Sequence, residues 1–366
     1  MKKFNLLAWC LLAVFGLTTL DSPAQKAETD LKITKTVKTT DSKALKRQSS
    51  CWSNAGTALL EAEWLRTGKP AADISVMDFV HNAYLLKAQA YLDSKGKTKV
   101  NEVSPAIEVM KLAKVYGMAP EKAYMYPVDQ DLMDPNTAEM DAVLRGTLRM
   151  VQEKENGVFT EKWQNTYNTT LLRYIGESQI SFDYDGTKYT PETFAAYSGI
   201  NFDDYVMLTS DTRSANNTKF ELQMPQNWND YKFYNVAQNA LNQTINNAIE
   251  NNYTVLWYGK LDKDAMVGDM ALVSAGDKEN PTAEKEISAD MRQETFEKNI
   301  AKNQDYLLIF GIAKDAEGKT YYQAKKVCEA GNQVINLSEA YVNLNTIYLT
   351  LNKNAVPTAL RSGFGL

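Results

Sequence analysis

The feature that most constrains the fold is a change of hydrophobic period along the chain. From Trp52 the apolar residues Ala55, Ala58, Leu59, Ala62 and Leu65 recur at helical spacing, and Gly68 and Pro70 close the segment. A second helix opens at Ser75, with Asp78 three residues on in near capping-box spacing, and stops near Gly96. A third is expected from Ser104 and Pro105 to Gly117, burying Ile107, Met110 and Val115. A fourth covers about 137–154 and a fifth about 162–175. The period then shortens. Residues 180–189 alternate around Asp185-Gly186, a hairpin signal, and Thr190-Pro191 opens a short helix. Short strands are expected at 205–208 and 220–224, an amphipathic helix at 234–251 and a buried strand at 253–258. The last third reads mostly as strand, at 307–313, 320–327 and 346–351, with one helical turn at 338–342. Helices first and antiparallel strands later indicate an α+β fold.

Composition removes several function classes. The chain has 366 residues, 44% hydrophobic and 23% charged, as in ordinary globular proteins. Its net charge of −5 provides no basic field to hold nucleic acid. Carboxylates are scattered without a calcium-loop or zinc spacing, so no metal or other cofactor is expected. Residues 1–24 have the form of a secretory signal: Lys2 and Lys3, an apolar run from Leu6 to Leu20, then Ser22-Pro23-Ala24 as a cleavage site before Gln25. That run is too short to span a membrane, and no later stretch is long and apolar enough. The expectation is a secreted or periplasmic protein. Residues 25–44 read as an extended, loosely held lead-in.

Two counts matter most for chemistry. The chain has one histidine, His81, and three cysteines, of which Cys51 and Cys328 remain after the signal. Ser49-Ser50-Cys51-Trp52 stands at the start of the first strong helix. A thiol there faces free backbone N–H groups and the positive end of the helix dipole, which favour thiolate. The same N–H groups suit an oxyanion. The competing reading is a small buried core residue, the usual place of a free cysteine.

The wider pattern is more specific. It combines Ser50-Cys51-Trp52-Ser53, Val80-His81-Asn82-Ala83-Tyr84, Tyr116-Gly117-Met118-Ala119-Pro120, residues 184–189, Asp203-Asp204-Tyr205-Val206, residues 310–315 and Ser338-Glu339-Ala340-Tyr341-Val342. In this colinear order, from about residue 40 to the end, the chain resembles papain-like cysteine peptidases of the aminopeptidase C and bleomycin hydrolase branch, in the secreted form of gut-type Bacteroidetes. The resemblance implies a papain-like two-lobe fold over 45–366. It comprises a helical left lobe (about 45–176), a hairpin or insert region (about 177–233) and an antiparallel β-rich right lobe (about 234–366), with a cleft between the lobes. It also implies a peptide or protein in the cleft and a homo-oligomer as precedent for assembly.

Such a peptidase needs a Cys nucleophile, a His to move the proton, an Asn to orient the His and a Gln at the oxyanion hole. Carried over position by position, the nucleophile is Cys51. The Gln position holds Leu45, with Gln48 a weak substitute, the His position holds Asp305 and the Asn position holds Lys326. The shielding Trp becomes Cys328, and the Gly-Gly pair of the substrate cleft becomes Asn101-Glu102-Val103-Ser104. His81 lies inside a left-lobe helix and reads as a packing residue. An unassisted thiol is only a few per cent ionised at pH 7, and lost acid–base help costs about 10²–10⁴-fold. The expectation is a pseudopeptidase, with an active enzyme of atypical triad and a non-catalytic binding module as alternatives. Two further expectations follow: an Asp305–Lys326 ion pair in place of His–Asn, and free thiols at Cys51 and Cys328.

Overall fold

A computed structural model of the protein describes residues 31–127, 137–153, 162–277, 279–280 and 282–366. The signal read in 1–24 and the first residues of the lead-in lie outside them, as does the side chain of Gln48.

The helical part comes first. α1 (Cys51–Arg66), α2 (Val76–Asp93), α3 (Glu108–Tyr116), α4 (Thr137–Gln152) and α5 (Lys162–Ile175) match the expected helices except at one start. α3 begins at Glu108, three residues after Pro105, because the chain first makes tight turns with Glu108 N donating to Pro105 O and Val109 N to Ala106 O. Its exposed side carries Val115, expected to be buried but 53% exposed. The capping box at Ser75 does not form. Asp78 Oδ1 instead accepts from Asn82 Nδ2 (3.3 Å) and Ser178 Oγ (2.7 Å).

α1 is the central helix, buried on most of its circumference. Gly56 allows its approach to α3: a Cβ there would stand 2.4 Å from Ala106 O and 2.5 Å from Val109 Cγ2.

β1 (Lys32–Thr36) precedes these helices; β2 (Tyr124–Met125) pairs β3 (Glu177–Ser178), and β4 (Phe182–Tyr184) pairs β5 (Thr187–Tyr189). The last hairpin turns through Asp185 and Gly186, both at positive φ (47° and 74°), as the Asp-Gly signal requires. α6 (Pro191–Ser198) follows, closed by a reciprocal cap between Thr190 and Thr193.

The remaining strands are β6 (Tyr205–Thr209), β7 (Thr218–Glu221), β8 (Lys232–Asn235), β9 (Val255–Gly259), β10 (Met266–Val267), β11 (Met270–Ala271), β12 (Asp305–Lys314), β13 (Thr320–Lys326), β14 (Val334–Ser338) and β15 (Thr346–Asn352). Between them lie α7 (Gln238–Glu250), α8 (Ala289–Ile300) and α9 (Glu339–Asn345), and α10 (Thr358–Phe364) ends the chain. They form one sheet in the order β10-β11-β14-β13-β12-β9-β15-β6-β8-β7, with β1 added on β12. Three expectations are corrected here. The sheet is mixed, since β11 runs parallel to β14 and β6 to β8. The helix expected from Tyr234 begins at Gln238, because Tyr234 belongs to β8. Strands β6, β7 and β8, from the region taken as an insert, complete one edge of the main sheet.

The sheet is covered on both faces, and its strands alternate accordingly. Leu256, Tyr258, Tyr306, Leu308 and Tyr348 pack with Trp52, Leu59, Trp64 and Phe79 on the side of α1 and α2. Val255, Trp257, Leu307, Ile309, Leu349 and Leu351 face Leu241, Ile245 and Ile249 of α7 on the other side.

The described part of the lead-in, residues 31–44, is not loosely held. β1 pairs antiparallel with β12, and Val37 N donates to Phe310 O at 2.7 Å. Lys325 Nζ donates to Thr40 O, and Lys43 Nζ reaches Glu61 Oε1 and Ile74 O, both at 2.6 Å. The hold runs through the backbone of this polar segment and the side chain of Lys43, which its composition does not announce.

Candidate functional site

α1 begins at Cys51, so its sulfur stands at the helix N-terminus. Ser50 does not cap the first-turn N–H groups; its hydroxyl donates back to Arg47 O at 2.6 Å. The Cys51 sulfur is not a free thiol. It forms a disulfide with Cys328, two residues beyond β13, with the Cα atoms 5.3 Å apart. The expectation of two free thiols is therefore overturned. Cysteines 277 residues apart in sequence meet because α1 packs on β12 and β13 hands the chain back beside its partner strand. Asn54 Nδ2 adds a second tie, donating to Lys43 O (3.1 Å) and Val327 O (3.4 Å).

Beside the disulfide lies a cleft of about 540 Å³, lined by Leu45, Arg47, Ser49, Cys51 and Trp52 from the head of α1 and the segment before it, by Val103 and Ser104, and by Gln226, Tyr258, Asn303, Gln304 and Tyr306. The wall at 101–104 is fixed from behind. Trp52 Nε1 donates to Glu102 O (2.7 Å), and the buried Lys87 ammonium donates to Asn101 O (2.7 Å) and Val103 O (2.6 Å). Burial lowers the Lys87 pKa to about 8, against the pull of Glu108, Asp141 and Glu102. Arg47 Nε pairs with Glu102 Oε2 at 3.0 Å, both side chains out of solvent.

Of the sequence-derived positions, Cys51 and Leu45 reach the cleft, and Leu45 brings no hydrogen-bond donor in its side chain. Asp305 does not line it. Its chain neighbours Gln304 and Tyr306 do, and the side chain of Asp305 instead accepts from Leu261 N at 3.1 Å. Desolvation raises the Asp305 pKa, with that N–H and the Lys326 charge opposing. Lys326 commits its ammonium to Glu329, 3.0 Å and 3.2 Å from the two carboxylate oxygens. The expected Asp305–Lys326 ion pair is not made: each head group has a closer partner, and Lys326 acts on Asp305 only through its field.

His81 is in α2, its Nδ1 2.7 Å from Gly176 O, and burial lowers its pKa. It ties α2 to the end of α5 and has no part in the cleft. Among the described residues the cleft lining holds no imidazole and no carboxylate, and no group of three or more His, Cys, Asp or Glu is gathered for a metal ion. Burial drives Tyr258 up to about 12 and Tyr306 higher still, so neither phenol is a base at neutral pH.

Val103 and Ser104, read as standing at the substrate-cleft position, do line it, whereas sequence reasoning missed Arg47, Gln226 and Lys87. Only Lys87 left a signal: it lies three residues after Tyr84 and next to Ala88, on the apolar face of α2. The chain terminus also turns out to be remote from the cleft lining. α10 packs Phe364 against Tyr234 with ring centroids 4.7 Å apart, and Leu360 and Leu366 join the core on the α7 side of the sheet.

No protein-family model matches this sequence, and no curated protein matches it. Among solved structures, PepW from Lactobacillus rhamnosis HN001 is similar with a TM-score of 0.65 at 12% identity, covering 91% of this chain and 84% of PepW. The Amb a 11 cysteine protease of ragweed pollen, in its proform, gives a TM-score of 0.35 at 11% identity, covering 87% of this chain and 65% of that one. At such identity the likeness to PepW is one of fold: the protein has a mixed α+β, papain-like fold.

Proposed function

We propose that this protein is an exported, aminopeptidase C-like homologue that has lost peptide hydrolysis and uses its cleft to bind peptide. The observation that carries the reading is the state of the would-be nucleophile: the Cys51 sulfur is bonded to Cys328. Even after reduction no residue of the cleft lining is placed to take a proton from the thiol and return it to a leaving amine. Leu45 withholds the oxyanion donor that a Gln would give. Peptide binding fits the lining, in which apolar Leu45, Trp52 and Val103 alternate with polar Ser104, Gln226 and Gln304. Export accounts for the disulfide, which persists in oxidising compartments.

The test is hydrolysis of aminoacyl and internal-peptide reporters by wild type and Cys51→Ala, with and without reductant. Neither protein cleaves under either condition, while unlabelled peptides bind wild type in calorimetry. Cleavage by reduced wild type that Cys51→Ala lacks would replace this reading with a redox-gated peptidase. N-terminal sequencing of the exported chain should start at Gln25.

A further inference from the structure

Peptide hydrolysis needs a base, an acid and an oxyanion hole; thiol–disulfide exchange needs none of them. It needs a sulfur–sulfur bond that a thiolate can reach and a leaving sulfur that can be protonated. Cys51 lines the cleft and Cys328 does not, so the bond presents the Cys51 end to whatever lies there. Around it three deeply buried side chains that also line the cleft have polar atoms without partners: Arg47 Nη2, Ser104 Oγ and Gln226 Oε1, on residues 3%, 1% and 4% exposed. Leaving such groups unpaired is costly. Together they offer a donor, a hydroxyl and an acceptor, which complement the C=O and N–H groups of an extended peptide.

We propose that the cleft is a thiol-capture site, in which a cysteine-bearing peptide held by Arg47, Ser104 and Gln226 exchanges its thiolate with the Cys51–Cys328 disulfide. The proposal rests on the reading that the cleft binds peptide and adds the ligand class and the chemistry. The peptide thiolate attacks Cys51 Sγ. A bond forms between these two sulfurs as the bond to Cys328 breaks, and the electron pair leaves on Cys328, which takes a proton from water. The Cys328 sulfur stands 3.3 Å from Cys51 O, so the new thiol has an acceptor in place. One disulfide and one thiol become one mixed disulfide and one thiol, with no net oxidation. If the peptide carries a second thiol, its thiolate attacks the peptide sulfur of the mixed disulfide. Cys51 then departs as a thiolate, stabilised by the uncapped first turn of α1. The peptide leaves oxidised to a disulfide and the protein is left as the dithiol.

The experiment uses the full chain purified without reductant. It is mixed with a hexapeptide containing one internal cysteine or, at equal thiolate concentration, with 2-mercaptoethanol, then acid-quenched and mapped by mass spectrometry. The peptide adduct is expected on Cys51, at a rate that saturates with peptide and exceeds that of the small thiol by about tenfold, the advantage of a held reactant. Ser104→Ala and Gln226→Leu should each pull the ratio of the two rates toward one. Adduct on Cys328, or a peptide no faster than the small thiol, overturns the proposal. The same hexapeptide with Ser for Cys, titrated by calorimetry, separates the two readings. Binding without preferential exchange sinks thiol capture and spares peptide binding; no binding sinks both.

Discussion

Two ion pairs lie against α1, one at Glu61 in its second half and one beside its head, and they are built on opposite principles. In the first, Glu61 Oε1 accepts from Lys43 Nζ (2.6 Å) and Ile74 N (2.8 Å), and Oε2 accepts from Thr40 Oγ1 (2.5 Å). Lys43 Nζ also reaches Ile74 O (2.6 Å) and Asp73 Oδ1 (2.8 Å). Both carboxylate oxygens are satisfied there, and the result is a clasp that fastens the lead-in to α1. In the second, Arg47 meets Glu102 through Nε alone, and Nη2 has no partner. Ser104 and Gln226 beside it likewise keep polar capacity unspent. A pair with all its bonds made stabilises the fold; a pair left incomplete beside a cleft keeps the hydrogen-bonding capacity on which the proposed peptide site rests.

The contrast can be broken most sharply at the clasp. Glu61→Ala removes three bonds at once, leaving the buried Ile74 N–H without its acceptor and Lys43 with Asp73 and Ile74 O alone, and should cost about 3–5 kcal/mol in urea unfolding; a loss below about 1 kcal/mol would show that the clasp is ornamental. Next comes the covalent tie. Replacing Cys51 and Cys328 together by Ala should lower stability by about 2–4 kcal/mol, read as a drop in Tm under oxidising conditions that disappears when both proteins are reduced.

Two buried ionisable groups give smaller effects with opposite pH signs, each about 1–3 kcal/mol across its window. Lys87 has its folded pKa lowered to about 8 from 10.5, so the unfolded chain holds the proton more tightly. Stability should rise as pH climbs from about 8 toward 10.5, and Lys87→Met should flatten that rise. Asp78 has its folded pKa raised by desolvation to about 6 from 3.8. Its contribution is full below about pH 4 and is lost as pH rises through 6, and Asp78→Asn should remove that slope. The smallest effect belongs to the cleft. Ser104→Ala should change stability by less than about 1 kcal/mol, because its unpartnered hydroxyl contributes no bond in the folded state, whereas Gln226→Leu also removes the bonds of Nε2 to Tyr258 OH (3.1 Å) and Asn303 Oδ1 (2.9 Å) and should cost about 1–3 kcal/mol.

What could be read from the sequence was local. The helix at Cys51, the Asp185-Gly186 turn and the strand from Leu307 announce themselves by period and turn chemistry. α8 did not, because the side it buries is Arg292, Gln293, Phe296 and Asn299, which carries no apolar stripe. The start of α7 was misplaced because the apolar Tyr234 and Val236 continue its stripe backwards into β8. The candidate site was legible at Leu45 and the 103–104 wall through the resemblance, and by itself at Cys51. Its partner Cys328, the Arg47–Glu102 pair and Gln226 come from distant segments that the sheet brings together, and no local pattern marks them. The proposed Asp305–Lys326 pair failed for a related reason. Leu307 is the register partner of Lys326, so Asp305 lies two residues along on the same face, but the nearer Glu329 takes the ammonium and Leu261 N takes the carboxylate.

The account depends on the sulfur at the head of α1 being sealed. The most direct measurement is a peptide map of the full chain purified without reductant, alkylated and digested without reduction. A cross-linked fragment joining Cys51 to Cys328, converted to two alkylatable thiols by reductant, is the predicted result. Quantitative alkylation of Cys51 before any reductant is added would contradict it.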